Sequence, residues 1–139
     1  MEFLAGAALA FGVALFAAQS GFDRDRAFWP TVLIVTASYY VLFAAVAGAE
    51  SALVPELVSL AAFAALAVAA FRTSLWIAAG GLAAHAVFDV LRGGLIANPG
   101  IPTWWPGFCI GFDVAAAAWM AMAIVLTGRR AGRPAGGGA

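Results

Sequence analysis

LWIAAGGLAAHAVFDVLRGGLIA, residues 75–97, contains three ionisable side chains, His85, Asp89 and Arg92, in an otherwise apolar and glycine-rich run. The run is as long as the roughly 20 residues that cross about 30 Å of hydrocarbon. Ionisable groups at that depth are costly and mark either a functional site or an internal polar contact. Positions i, i+4 and i+7 share one helical face, so the three side chains project the same way. With a rise of about 1.5 Å per residue, His85 stands about 15 Å up the helix, and Asp89 about 6 Å above it.

The whole chain shares this character. Of its 139 residues 65% are hydrophobic and 10% charged, with a mean hydropathy of +0.99. Soluble domains carry about 45–50% apolar and about 25% charged residues. So small a soluble core could not hide this excess, so the solvent is lipid. Hydropathy places five spans, at about 3–19, 30–48, 53–71, 75–97 and 105–127. The Ala-rich runs lack the period-2 alternation of barrel strands. The expected fold is therefore all-α, a polytopic bundle of five transmembrane helices forming one domain over residues 1–127. Residues 128–139 read as a disordered basic tail. No internal repeat is evident, and five spans do not divide into equal inverted halves.

Orientation follows from arginine. Arg24, Arg26, Arg72, Arg129, Arg130 and Arg133 fall on one side of a five-span chain, with only Arg92 toward the other, and there is no lysine. The positive-inside rule puts the N-terminus outside, the tail in the cytoplasm and the protein in the inner (plasma) membrane as a multi-pass chain. Trp29 and Trp76 would mark the inner interface, Trp104 and Trp105 the outer one. A cleavable signal peptide ending near Ala17-Ala18 is the competing reading. Acidic Glu2 and the lack of a basic residue before the apolar run oppose it. The zero formal net charge and the lack of a basic patch exclude a nucleic-acid partner. The single cysteine excludes an internal disulfide.

The fifth span repeats the four-residue spacing with Cys109 and Asp113. Run antiparallel to the fourth, it brings Asp113 to the level of His85 and Cys109 to that of Asp89. Gly107 and Gly111 form a small-xxx-small pair for close helix approach on another face. The second span adds Thr36, Ser38, Tyr39 and Tyr40 at mid-depth, whose hydroxyls can satisfy a carboxylate or orient a histidine.

The candidate site therefore lies between helices two, four and five and opens outward. His85, Asp89, Asp113, Tyr39 and Tyr40 are its candidate catalytic residues. Arg92, Glu56, Trp104 and Trp105 would line the way in, beneath a Pro102–Pro106 lid. Glu50 also sits near that outer mouth. His85, Asp89, Asp113 and Cys109 together offer nitrogen, oxygen and sulfur donors to a divalent metal such as zinc. Such a metal would make a bound water acidic and hydrolysis feasible. Three functional readings stand: a membrane-embedded enzyme or binder of a lipid-like or small-molecule ligand; a small oligomeric transporter or proton/ion conduit; and an accessory subunit of a larger membrane complex. A purely structural role, with His85–Asp113 as an interhelical bond and Asp89–Arg92 as an ion pair, is the alternative to all three.

FDRDRAFWP at 22–30, with Tyr39-Tyr40, His85-x-x-x-Asp89, Pro102-x-Trp104-Trp105-Pro106 and Cys109-x-x-x-Asp113, resembles a family of small bacterial integral membrane proteins of unassigned activity. The resemblance covers nearly the whole chain. A weaker resemblance is to membrane-embedded zinc hydrolases of the ceramidase and adiponectin-receptor type, which also use His and Asp on neighbouring helices. It implies metal-assisted hydrolysis of a lipid-like substrate. This chain has five spans where those enzymes have seven, and one histidine where they bring three to the metal. Cys109 and a second aspartate would have to take the missing places.

Overall fold

The structure, a computed structural model, describes residues 1–131, with side chains described through residue 127. Its described residues form five long helices and no strand: α1 (Glu2–Ser20), α2 (Phe28–Val46), α3 (Glu50–Arg72), α4 (Leu75–Arg92) and α5 (Trp105–Ala131). All five are long and apolar enough to cross a membrane. A single 3-10 turn, Phe22–Arg24, lies between α1 and α2.

Local chemistry sets the ends. α1 stops at Gly21, whose φ of 83° places it in the left-handed region that closes a helix without a Cβ clash. Ser74 starts α4 by accepting a hydrogen bond from the Trp76 amide at 3.3 Å. α4 ends at Arg92, short of the expected 97. Hydropathy runs on through Leu95-Ile96-Ala97, but Gly93-Gly94 supply little helix propensity to carry the turn further. α5 runs to Ala131, beyond the expected end near 127. The remainder of the expected tail, 132–139, lies outside the described residues.

Packing is close and small-residue driven. Ala10, Ala14 and Ala17 of α1 are buried in a stripe. A methyl group added at Gly6 would collide with the backbone of Phe108 and Phe112, and one at Gly111 with the backbone of Phe3. Phe11 meets Trp119 edge-on at 5.3 Å between ring centroids. These contacts pair the start of α1 with the start of α5, so the two helices run parallel, as alternation over five spans demands. α5 packs in turn on α4, and α4 packs on α2 and α3. Without a hydrophobic force between helices in lipid, such backbone approach supplies the association energy. Gly100 approaches the Phe43 carbonyl just as closely, tying the 93–104 segment to α2.

The distribution of polarity is inverted relative to a soluble protein. Large apolar side chains such as Leu4, Val46, Val54, Val90 and Leu91 are exposed, whereas Glu56, His85, Asp89, Arg92 and Asp113 are buried. An apolar exterior of this extent suits hydrocarbon and not water. Trp29, expected at an interface, packs into the apolar core with Leu33 and Leu82, while Trp76 and Trp104 are exposed.

Candidate functional site

The antiparallel pair α4 and α5 builds the centre. His85 Nδ1 lies 2.7 Å from Asp113 Oδ2, at the depth the helical register requires. Asp89, one turn along α4, places Oδ2 3.6 Å from the same nitrogen. His85 and Asp113 are 0% exposed and Asp89 4%. One potential ligand atom from each of the three lies within 4.8 Å of the others. Cys109, also proposed as a metal ligand, is buried but falls outside this group.

Aromatic rings hold the imidazole. Phe63 of α3 meets it edge-on at 4.8 Å, and Tyr40 and Phe88 lie at 6.0 and 6.3 Å. The Tyr40 hydroxyl neighbours Asp89 and Cys109 without a well-formed bond to either. Five polar atoms of the centre are buried with no partner: His85 Nε2, both Asp89 oxygens, Asp113 Oδ1 and the Tyr40 oxygen. Buried polar atoms are nearly always satisfied, and each exception calls for a cause.

The two tyrosines separate. Successive helix positions differ by about 100°, so Tyr39 and Tyr40 cannot share a face. Tyr40 is 1% exposed and faces the centre. Tyr39 is 36% exposed and packs on Trp105 at 4.8 Å, away from His85. Tyr39 is therefore not placed to act on the centre as expected.

Glu56 and Arg92, expected at an open outer mouth, close it instead. They form a buried ion pair between α3 and α4. Asn98 Nδ2 donates to the same Glu56 Oε1 at 2.9 Å and to the Tyr40 carbonyl at 3.0 Å. The Arg92 guanidinium stacks 4.0 Å over the Tyr40 ring. This second cluster roofs the first, and the expected Asp89–Arg92 pair is replaced by Glu56–Arg92. Glu50, also expected near the mouth, begins α3 and is exposed. Trp104 is exposed and Trp105 partly buried among Tyr39, Phe43 and Phe108. Sequence reasoning treated Asn98 as part of a rigid turn and did not single out Phe63. The legible signal for Asn98 was a two-donor amide beside a Pro-Gly turn.

Fold and site together define a bundle of five membrane-length helices with a buried His–Asp–Asp centre. No protein-family model, curated protein or solved structure matches the chain.

Proposed function

We propose that the chain is a multi-pass membrane protein that binds one divalent cation at His85, Asp89 and Asp113 and uses it in membrane-embedded chemistry. The observation that carries this reading is the convergence of three buried ligand-type side chains, with His85 Nε2, both Asp89 oxygens and Asp113 Oδ1 left without partners. The three ligand atoms lie within 4.8 Å of one another, and donors bound at about 2.0–2.1 Å in a tetrahedron sit about 3.3–3.4 Å apart, so the 2.7 Å His85–Asp113 hydrogen bond would open slightly on binding while the 3.6 Å His85–Asp89 separation would close.

Charge supports it as well. Glu56 and Arg92 neutralise one another. Were both aspartates ionised beside a neutral imidazole, they would leave two uncompensated negative charges in a medium of low dielectric. A divalent cation cancels both. The imidazole and carboxylate donor set suits zinc or a comparable borderline ion, and three protein ligands leave a fourth position for water or substrate. Without the ion, His85 Nδ1–H donates to Asp113; binding through that nitrogen would need its lone pair, so the proton would move to Nε2. A bound cation supplies an acidified water and polarises a carbonyl or phosphoryl oxygen. Tyr40, whose unpartnered hydroxyl neighbours Asp89, would be the side chain to donate to that oxygen.

The arginine distribution supports an N-terminus outside and a cytoplasmic C-terminus. The centre then lies in the outer half of the membrane. The conduit reading draws on the polar series from His85 through Tyr40 and Arg92 to Asn98. Toward the arginine-rich end, however, Leu33, Ala78, Leu82, Ala116 and Met120 fill the core with apolar groups. A relay through the membrane requires polar groups there.

Metal analysis tests the proposal. Protein purified without a polyhistidine tag and equilibrated with zinc or manganese is expected to retain one equivalent after dialysis. His85→Ala and Asp113→Asn should retain none while eluting as folded protein. A folded wild type that retains no divalent ion would overturn the proposal.

A further inference from the structure

At the arginine-bearing end of the bundle, the α1–α2 connection, the α3–α4 turn and the last turns of α5 line a cavity of about 770 Å³. That volume falls within the roughly 300–1,000 Å³ of small-molecule sites. Its charged groups are Arg24, Arg26 and Asp23. Arg26 Nη2 donates to the Thr73 carbonyl at 2.6 Å, which fastens the two connections to one another. A carbonyl occupies one of the five guanidinium N–H groups and cancels none of the charge. Among the described residues neither arginine forms an ion pair. Asp25 is turned to the groove between α1 and α2 instead, where its Oδ1 accepts from the Ala27 amide at 3.0 Å. Two arginines against one aspartate leave the lining with an excess of positive charge. α4 begins at the same place, and its N-terminus adds partial positive charge. α3 ends there, and Arg26 covers the carbonyl that its C-cap presents.

The rest of the lining is aromatic and apolar. Trp29 and Trp76 are each the second residue of a helix, the level at which indoles meet lipid headgroups. Along α5 the lining passes from Thr127 through Ile124 to Met120 and Trp119, so polarity falls from the arginine end inward. Trp76 is exposed, which leaves the cavity open toward lipid on that side. A free inorganic phosphate would engage only the arginines. A charged end above an apolar wall fits a molecule with the same gradient. Guanidinium groups match phosphate oxygens in charge and in planar geometry.

We infer that this cavity seats the phosphodiester headgroup of an anionic glycerophospholipid from the adjoining leaflet, with Arg24 and Arg26 on the phosphate oxygens and the acyl chains leaving past Trp76. The site rests on the membrane-spanning reading and is independent of the cation at His85.

The test is native mass spectrometry of the full chain in detergent micelles. Phosphatidylglycerol, phosphatidylethanolamine and phosphatidylcholine with identical acyl chains are added in equal amounts. One phosphatidylglycerol per chain should be retained, favoured about fivefold over phosphatidylcholine, the scale of one uncompensated charge at a membrane surface. Arg24→Gln, at a side chain with no hydrogen-bond or ion-pair partner among the described residues, should remove most of that preference, and Arg24→Lys should keep part of it. Asp23→Asn should raise it. The metal content of all three variants should equal that of wild type. Equal retention of the three lipids would overturn the inference, as would a preference for phosphatidylethanolamine, whose ammonium answers Asp23. Displacement of the lipid by inorganic phosphate would assign the cavity to a soluble anion and overturn it too. Release of the chain from vesicles by a carbonate wash would refute the membrane reading together with the site; retention there without lipid preference would refute the site alone.

Discussion

Two polar clusters lie stacked within the same bundle, and they are built on opposite principles. The upper one, Glu56, Arg92 and Asn98, matches one cation to one anion, adds an amide and lays the guanidinium over a ring. The lower one, His85, Asp89 and Asp113, sets two carboxylates around one imidazole and leaves both Asp89 oxygens without partners. The upper cluster is complete from the chain's own residues. The lower one is short of hydrogen-bond partners. Where a protein satisfies its polar atoms in one cluster and leaves them unpartnered in the next, the second is the one proposed to take a ligand.

The largest effect tests the complete cluster. Glu56→Ala strands Arg92, and breaking a buried pair costs about 3–5 kcal/mol; denaturant titration in mixed micelles should show it. The double variant Glu56→Leu/Arg92→Leu should recover most of that loss, and a single variant no less stable than wild type would erase the contrast. Next comes the ion itself. A cation at one hundred times its dissociation constant should stabilise the wild type by about 2.7 kcal/mol, and His85→Ala should show no such gain.

Asp113→Asn in metal-free protein should cost about 1–2 kcal/mol, the scale of an interhelical hydrogen bond in a membrane. Asp89→Asn is the sharper probe. It removes one of two like charges, so metal-free stability should hold or rise while metal retention is lost; a loss as large as that of Glu56→Ala would make both clusters structural. The smallest effect separates the tyrosines. Tyr40→Phe should weaken metal retention measurably, and Tyr39→Phe should leave it unchanged.

The five helices and the pairing of His85 with Asp113 were legible because both follow from one-dimensional quantities, hydropathy and helical rise. Features that depend on which helices become neighbours were not. Glu56 and Arg92 are 36 residues apart, and nothing local tells Glu56 that α4 will face it. Tyr39 and Tyr40 sit at the same depth, so depth alone assigned both to the centre, and only the packed face of α2 separates them. Trp29 has the composition of an interface anchor but is claimed by the core around Leu33 and Leu82. The apolar groove left between α1 and α2 was invisible for the same reason: consecutive helices are expected to pack, and α1 instead takes α5.

That exchange of partners has a consequence for how the molecule is made. α1 emerges first from the ribosome and α5 last of the five, yet Gly6 needs the Phe108–Phe112 backbone to complete its contact. Until then α1 must wait in the bilayer, tethered but undocked. Asp113 arrives on the same late helix, so His85 and Asp89 also wait for their third member. Ion loading would thus act as an inspection stamp, granted only to a fully inserted chain.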